Sequence, residues 1–281
     1  MNRTDFSLRL LYVILVILSI FMLLPLFYIF NHALKPYTEL FLYPPKLYVM
    51  NPTLNNFLEL AVITKESVVP FSRYLFNSII VTSISVTLVT VISALAAYAM
   101  SKHQFPGHKL FFSIIIISLM FVPETVEIPR YIVISKLGMI NTYWAHILPN
   151  LSAPIGVFLI KQFMDQIPNE LLEAAKLDGA KEWTIFFRVA IPLSMSAIVT
   201  IIIIQFQAVW GSATISSLYM TDDAMKTFPF FMNTLTSLAS NNVARQGAAA
   251  AATLIIFIPN LIIFLVFQSR VISTMAQSGI K

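Results

Sequence analysis

The chain has 281 residues, a 58% hydrophobic share, 11% charged residues and a formal net charge of +5. A soluble domain carries roughly 25% charged residues, so this sequence has too little charge to coat a water-facing surface, and its apolar residues come in long blocks. Cysteine is absent, which excludes disulfides and thiolate metal sites, and no basic run interleaved with aromatics supports nucleic-acid binding.

A helix needs about 20 mostly apolar residues to cross a bilayer. Six stretches qualify, near 10–30, 75–100, 110–129, 143–163, 193–218 and 247–268. Runs such as 114–117 and 201–204 do not alternate in polarity, as strands of a membrane barrel would. The chain therefore reads as an all-α membrane protein with six spans, with backbone groups paired inside each helix. The first stretch follows Arg3 and Arg9, as a secretory signal would, but it is longer than a signal core and no small-x-small site closes it, so it reads as a retained helix. Residues 1–70 form this helix and a first extracytoplasmic loop; 71–281 form the core domain, with no internal repeat.

Six spans put both termini on one side. Lys102, Lys109, Lys176, Lys181, Arg188 and Arg270 sit in the shorter segments, which favours cytoplasmic termini. The second span is rich in Ser78, Thr82, Ser83, Ser85, Thr87, Thr90 and Ser93, followed by Ala94, Ala96 and Ala97. Small residues let helices approach closely, so packing inside a bundle outweighs a pore-lining role. Pro25, Pro123, Pro129, Pro149, Pro154 and Pro259 mark kinks or span ends.

The loop at 168–192, on the expected cytoplasmic side, carries most information. It predicts two short helices parted by Gly179, the first capped by Asn169 with Glu170 and Glu173 in its first turn. In the second, Trp183, Phe186, Phe187 and Ala190 fall at i, i+3, i+4 and i+7 and predict one apolar face, with Pro192 at the turn into the fifth span. A loop exposing both Leu171–Leu172 and an aromatic stripe is more than a connector, because such a patch has a partner. A short helix presenting Ala174 and Ala175 suits another protein's groove.

Glu173-Ala174-Ala175, three residues, Gly179, nine residues and Val189-Ala190-Ile191-Pro192 resemble the EAA signature of binding-protein-dependent ABC importer permeases, Val189 and Ile191 departing conservatively from its Ile-x-Leu-Pro ending. Phe76-Asn77-Ser78, Ala96-Ala97-Tyr98-Ala99, Phe105-Pro106-Gly107, Leu137-Gly138, Asn141-Thr142-Tyr143 and the run from Ala174 to Ala180 are similar to the carbohydrate-uptake permeases, nearest the maltose-type smaller subunit. The resemblance spans roughly 70 to the end, including the tail Ser278-Gly279-Ile280-Lys281.

The resemblance implies a type I importer permease in a prokaryotic cytoplasmic membrane. It would pair with a homologous second permease, two ATPase subunits that hold ATP and Mg, and an extracellular or periplasmic solute-binding protein that delivers a sugar or oligosaccharide. Glu173, Ala174, Ala175, Asp178, Gly179 and Pro192 would couple to the ATPase, and Ser278, Gly279 and Lys281 would touch it through the tail. This chain would be no enzyme and would hold no cofactor or metal: it has seven glycines and no phosphate-cradling G-x-x-x-x-G-K, and its four histidines show no ligand spacing.

The substrate path is expected at Gln205, Gln207, Trp210 and Ser212, where polar groups lie at membrane depth; interhelical hydrogen bonding is the competing reading. Relatives show Trp-Asn-Asp-Phe where Trp210-Gly211-Ser212-Ala213 stands. A permease for a non-sugar solute is the alternative. A secondary transporter is a lesser one, since the sequence gives no convincing repeat, broken helix or acid relay.

Overall fold

A computed structural model describes the backbone of residues 3–44, 46–65, 69–239 and 243–278 and the side chains of 8–44, 46–62, 69–237 and 246–269. All regular structure among these residues is helical. In chain order the helices are α1 (Arg3–Leu34), α2 (Tyr37–Leu40), α3 (Asn55–Lys65), α4 (Phe71–Lys102), α5 (His108–Ser118), α6 (Glu127–Lys136), α7 (Tyr143–Leu151) and α8 (Pro154–Asp165). They continue as α9 (Asn169–Leu177), α10 (Glu182–Ile185), a π-helical turn (Phe186–Ala190), α11 (Ile191–Leu193), α12 (Met195–Trp210), α13 (Thr214–Tyr219), α14 (Phe228–Ala239) and α15 (Val243–Ser278).

Three apolar stretches are unbroken and long enough to cross a membrane: Leu8–Leu34, Phe71–Lys102 and Gln246–Ser269. Among the described residues, three further apolar stretches are bent pairs: α5 with Pro123–Lys136 at 107°, α7 with α8 at 43°, and Glu182–Leu193 with α12 at 77°, this last pair reaching back from the expected fifth span into the 168–192 loop. Counting each pair as one gives six. The first two breaks fall at prolines expected to mark kinks or span ends, and the third falls where no proline kink was expected. Pro123 and Pro154 stand at the first breaks and lack the N–H that would continue the ladder. At the third, Ser194 is fully buried and its hydroxyl donates to the carbonyl of Ala190 over 2.7 Å, a back-bond that bends helices. In the expected fifth span, α12 ends at Trp210, short of 218, because Gly211 and Ser212 interrupt it. Broken helices are thus present, and their supposed absence does not separate this chain from a secondary transporter.

The chain divides into two compact units, Met1–Phe71 with Phe231–Ile258, and Ser72–Phe230 with Pro259–Lys281. In the first, Ala33, Ala251 and Leu254 form a buried cluster with Ile29 and Phe57 packed against it. The stretch after α1 is tied by polar clamps. Asn56 Nδ2 donates to the carbonyls of Ala33 at 2.9 Å and Lys35 at 2.8 Å. Asn31 Oδ1 accepts from the N–H of Val49 at 2.9 Å. The buried Glu39 carboxylate accepts from the N–H groups of Met50 at 3.0 Å and Asn51 at 2.8 Å.

The second unit has its main core where α4, α8, the π-turn and α12 meet: Ala94, Ala97, Tyr98, Ile160, Phe163, Met164, Phe186, Ala190, Ala197, Ile198 and Ile201 are all buried. Packing is close enough that a Cβ added to Gly156 of α8 would lie 2.6 Å from Ser93 Oγ of α4. Ser78, Thr82, Ser85 and Ser93 are buried, as expected for a packing face, while Ser83 and Thr87 are exposed. At the end where α4 begins, fully buried Asn77 donates to the carbonyls of Ala224 and Lys226, each at 2.8 Å, and Ser78 Oγ accepts from the N–H of Phe228 at 2.8 Å.

Candidate functional site

The segment between α8 and α12 is built as a short helix, a tight reversal and a second helix. The first helix begins at Asn169, with Pro168 and not Asn169 in the capping position. Proline's fixed φ of −59° with an extended ψ of 137° supplies the entry geometry, and the Asn169 side chain is engaged elsewhere, accepting from Lys102 Nζ at 3.2 Å. Gly179 closes the helix with φ 81°. Its N–H donates to the carbonyl of Lys176 and that of Ala180 to Ala175, both at 3.0 Å, the paired bonds of a left-handed helix stop.

The second helix departs from the expected face. Phe186 and Ala190 are buried, whereas Trp183 and Phe187 are exposed, stacked on each other with centroids 6.0 Å apart. The four residues split into two pairs, each four apart: Trp183 with Phe187 on the outer side, and Phe186 with Ala190 on the inner side, the latter pair spanning a π-helical turn. Proline at 192 cannot donate to the carbonyl four residues back, and the wider turn accommodates that missing bond. Pro192 itself lies exposed inside α11, and the turn into α12 falls at Ser194.

The result is a two-sided segment. Leu172, Ile185, Phe186 and Ala190 face inward. Leu171, Glu173, Ala174, Leu177, Asp178 and Gly179 are exposed, Ala175 is half-buried, and Leu177 shows 89% of its surface. The inner side is bolted to the end of α4. Lys102 Nζ donates to the carbonyl of Ile167 at 2.6 Å. Tyr98 donates to Glu182 Oε1 at 2.7 Å and packs edge-on against Phe186 at 5.2 Å. His103 Nε2 lies 3.0 Å from the same carboxylate and Lys176 Nζ 3.5 Å from its other oxygen. Glu182, Tyr98, Lys102 and His103 were not singled out as a group by sequence reasoning; the only signal was the Ala96-Ala97-Tyr98-Ala99 run. A rigid backing with an exposed outer face of apolar and mixed-charge residues is the geometry of a docking lever.

The expected substrate-path residues do not converge. Gln205 and Trp210 are buried, with Trp210 stacked on Phe206 at 5.6 Å, while Gln207 faces outward and Ser212 lies half-buried beyond the helix end. Gly279 and Lys281 lie outside the described residues, as does the side chain of Ser278. No group of three or more His, Asp or Glu side chains suited to a metal occurs among the described residues. His146 is instead a buried structural residue, its Nε2 3.0 Å from the carbonyl of Met225.

Comparison with known proteins agrees with this architecture. Residues 2–272 match the family described as binding-protein-dependent transport system inner membrane component. The probable ABC transporter permease protein YurM of Bacillus subtilis is 32% identical over 212 residues, 75% of this chain and 70% of that protein. The arabinooligosaccharides transport system permease protein AraQ of Halalkalibacterium halodurans is 31% identical over 205 residues, 73% of this chain and 72% of that protein. The trehalose transport system permease protein SugB of Mycobacterium tuberculosis is 28% identical and covered over 92% of both chains. Among solved structures, a chain of a bacterial ABC transporter involved in import of the acidic polysaccharide alginate superposes with a TM-score of 0.80, covering 96% of this chain and 98% of that one, at 20% identity. That likeness speaks to fold alone.

Proposed function

Because the chain belongs to the binding-protein-dependent transport system inner membrane components, we propose that it is a translocation subunit of an ATP-driven importer for a sugar or oligosaccharide. It works beside a homologous permease, above two ATPase subunits that hold ATP and Mg, and receives solute from an external binding protein. Both termini and the 168–193 segment lie on the cytoplasmic side. The chain is not itself an enzyme.

The observation that carries this reading is the segment from Asn169 to Leu193: an exposed outer face set on an inner face locked to the end of α4 through Tyr98 and Lys102. A push delivered to Glu173, Ala174 and Leu177 passes to α4 and α12 without being absorbed, since the backing is packed and hydrogen-bonded. Movement there would switch the pathway between inward and outward access. The naming of two relatives for arabinooligosaccharides and trehalose supports a carbohydrate substrate. Gln205, Gln207, Trp210 and Ser212 remain the proposed substrate-path residues, with Gln207 and Ser212 the ones open to a solute and Gln205 and Trp210 packed behind them, and the tail from Ser278 a proposed second contact with the ATPase.

The test is uptake and ATP hydrolysis in vesicles holding the whole importer, with Gly179→Pro and Glu173→Ala. Proline cannot adopt φ 81° and removes the N–H that Gly179 donates to Lys176. Gly179→Pro should assemble in the membrane yet lose uptake, and Glu173→Ala should weaken it. Normal transport by Gly179→Pro would overturn the coupling role.

A further inference from the structure

On the second unit, α4 ends, α5 begins and α8 ends around one cavity of about 440 Å³. Its charged and polar wall includes Ser101, His103, His108, Lys109, Lys161 and Asp165. Three helix termini meeting there put it at the depth where apolar spans give way to water.

The lining has unspent capacity for an anion. Lys109 is exposed and reaches the cavity from the first turn of α5. Lys161 is held in place rather than free to swing: its Nζ lies 2.6 Å from Asp165 Oδ2 and 4.4 Å from the centroid of the Phe112 ring. The two lysines outweigh the one carboxylate. Glycine at 107, in the left-handed conformation with φ 87°, opens α5 with no side-chain cap, so the positive end of that helix offsets the negative ends that α4 and α8 bring to the cavity and leaves the lysines as its net positive charge. Ser101 supplies an independent sign. Its hydroxyl is buried at the cavity wall and has no hydrogen-bond partner in the structure, a cost that an acceptor in the cavity would remove. His103 is steadied on its other side by Glu182 at 3.0 Å, so this wall is preformed.

Beside the cavity lies an exposed apolar surface. Leu110, Phe111, Ile114 and Ile117 of α5 are exposed apolar residues continuing from Lys109. A ligand with a phosphate at one end and hydrocarbon at the other fits both parts, and basic pockets between membrane helices take anionic headgroups. We propose that this cavity is a headgroup site for an anionic phospholipid, its phosphate held by Lys109, Lys161 and the Ser101 hydroxyl, with acyl chains along the exposed face of α5. The site depends on the chain being embedded in a bilayer and not on which solute it carries.

Native mass spectrometry of the full-length chain tests this, with the protein released from micelles doped equally with phosphatidylglycerol and phosphatidylcholine. The wild-type chain should retain phosphatidylglycerol in preference, less so as salt is raised. Lys109→Gln should lower that preference about fivefold, and Lys109→Gln with Lys161→Gln further. Lys109→Arg should retain it, and so should Lys136→Gln, a lysine outside the cavity wall. The Lys109 side chain is exposed, so that single variant folds and carries the test even where the double variant does not. Equal retention of the two lipids, or an unchanged preference in Lys109→Gln, would overturn the site. Displacement of the lipid by millimolar inorganic phosphate would reassign it to a soluble anion and overturn the lipid assignment.

Discussion

The hydroxyl of Tyr143 donates to Oδ1 of Asn77 over 2.7 Å, so two short sequence signatures 66 positions apart meet at one fully buried amide. The amide nitrogen serves the carbonyls of Ala224 and Lys226, and Arg73 Nε donates to Ala224 as well, at 3.1 Å. One side chain thereby holds the start of α4, the start of α7 and the turn before α14. Asn77→Ala strands the Tyr143 hydroxyl and removes two donors to half-buried carbonyls, of which that of Ala224 keeps Arg73. It should cost about 3 kcal/mol, read as a lowered melting temperature of the purified protein in detergent, whereas Tyr143→Phe should cost about 1 kcal/mol.

Tyr98→Phe removes the bond to Glu182 while keeping the ring that packs on Phe186. Glu182 retains His103 and Lys176 nearby and is partly open to solvent, so the stability loss should stay near 1 kcal/mol. Transport should fall more than stability: ATP turnover by the assembled importer should persist while uptake per ATP drops. Unchanged coupling in Tyr98→Phe would show that the packed ring alone secures the segment.

Gly156→Ala places a methyl 2.6 Å from Ser93 Oγ and 3.1 Å from Ser93 Cβ, forcing α8 away from α4. The expected cost is about 2 kcal/mol. Ser93→Gly in the same chain should recover part of it, and a double-mutant cycle by thermal melting measures the coupling.

The N–H groups of Met50 and then Asn51, with Lys35 and Lys46 nearby, hold the Glu39 carboxyl below the ordinary carboxylate range, against the opposing effect of its burial. A group depressed on folding stabilises the fold above its unfolded pKa and loses that contribution as pH falls through the folded value. Hydrogen exchange at Met50 and Asn51 should therefore stay slow near neutrality and speed up only in acid. Glu39→Gln should exchange faster at neutral pH and show little dependence on acidification beyond the intrinsic rate.

Much of this architecture was legible because hydropathy and glycine geometry are local properties. The apolar stretches locate the spans, and Gly179 announces a left-handed helix stop from its neighbours alone. What escaped depends on contacts between distant positions or on how the backbone resolves a conflict. Nothing local in Ser194 distinguishes a back-bonding serine at a 77° break from a surface one. The aromatic stripe divides into an outer pair, Trp183 and Phe187, and an inner pair, Phe186 and Ala190, and which pair is buried is set by distant Tyr98 rather than by local spacing. Glu182 reads as an ordinary first-turn acid until Tyr98, 84 positions away, is found against it. The clamp around Glu39 was equally hidden, since its partners are main-chain amides that any residue would supply.

The break at Ser194 changes what kind of motion the protein can make. A straight rod would convey a shove along its own axis, moving every residue of α12 by the same amount. With an elbow of 77° at a buried serine, a displacement of the 182–193 arm arrives in α12 as torque. Under the proposed coupling, the far end near Trp210 would sweep through a larger arc than the near end, so a modest stroke on the 169–193 segment would be geared up where the helix finishes.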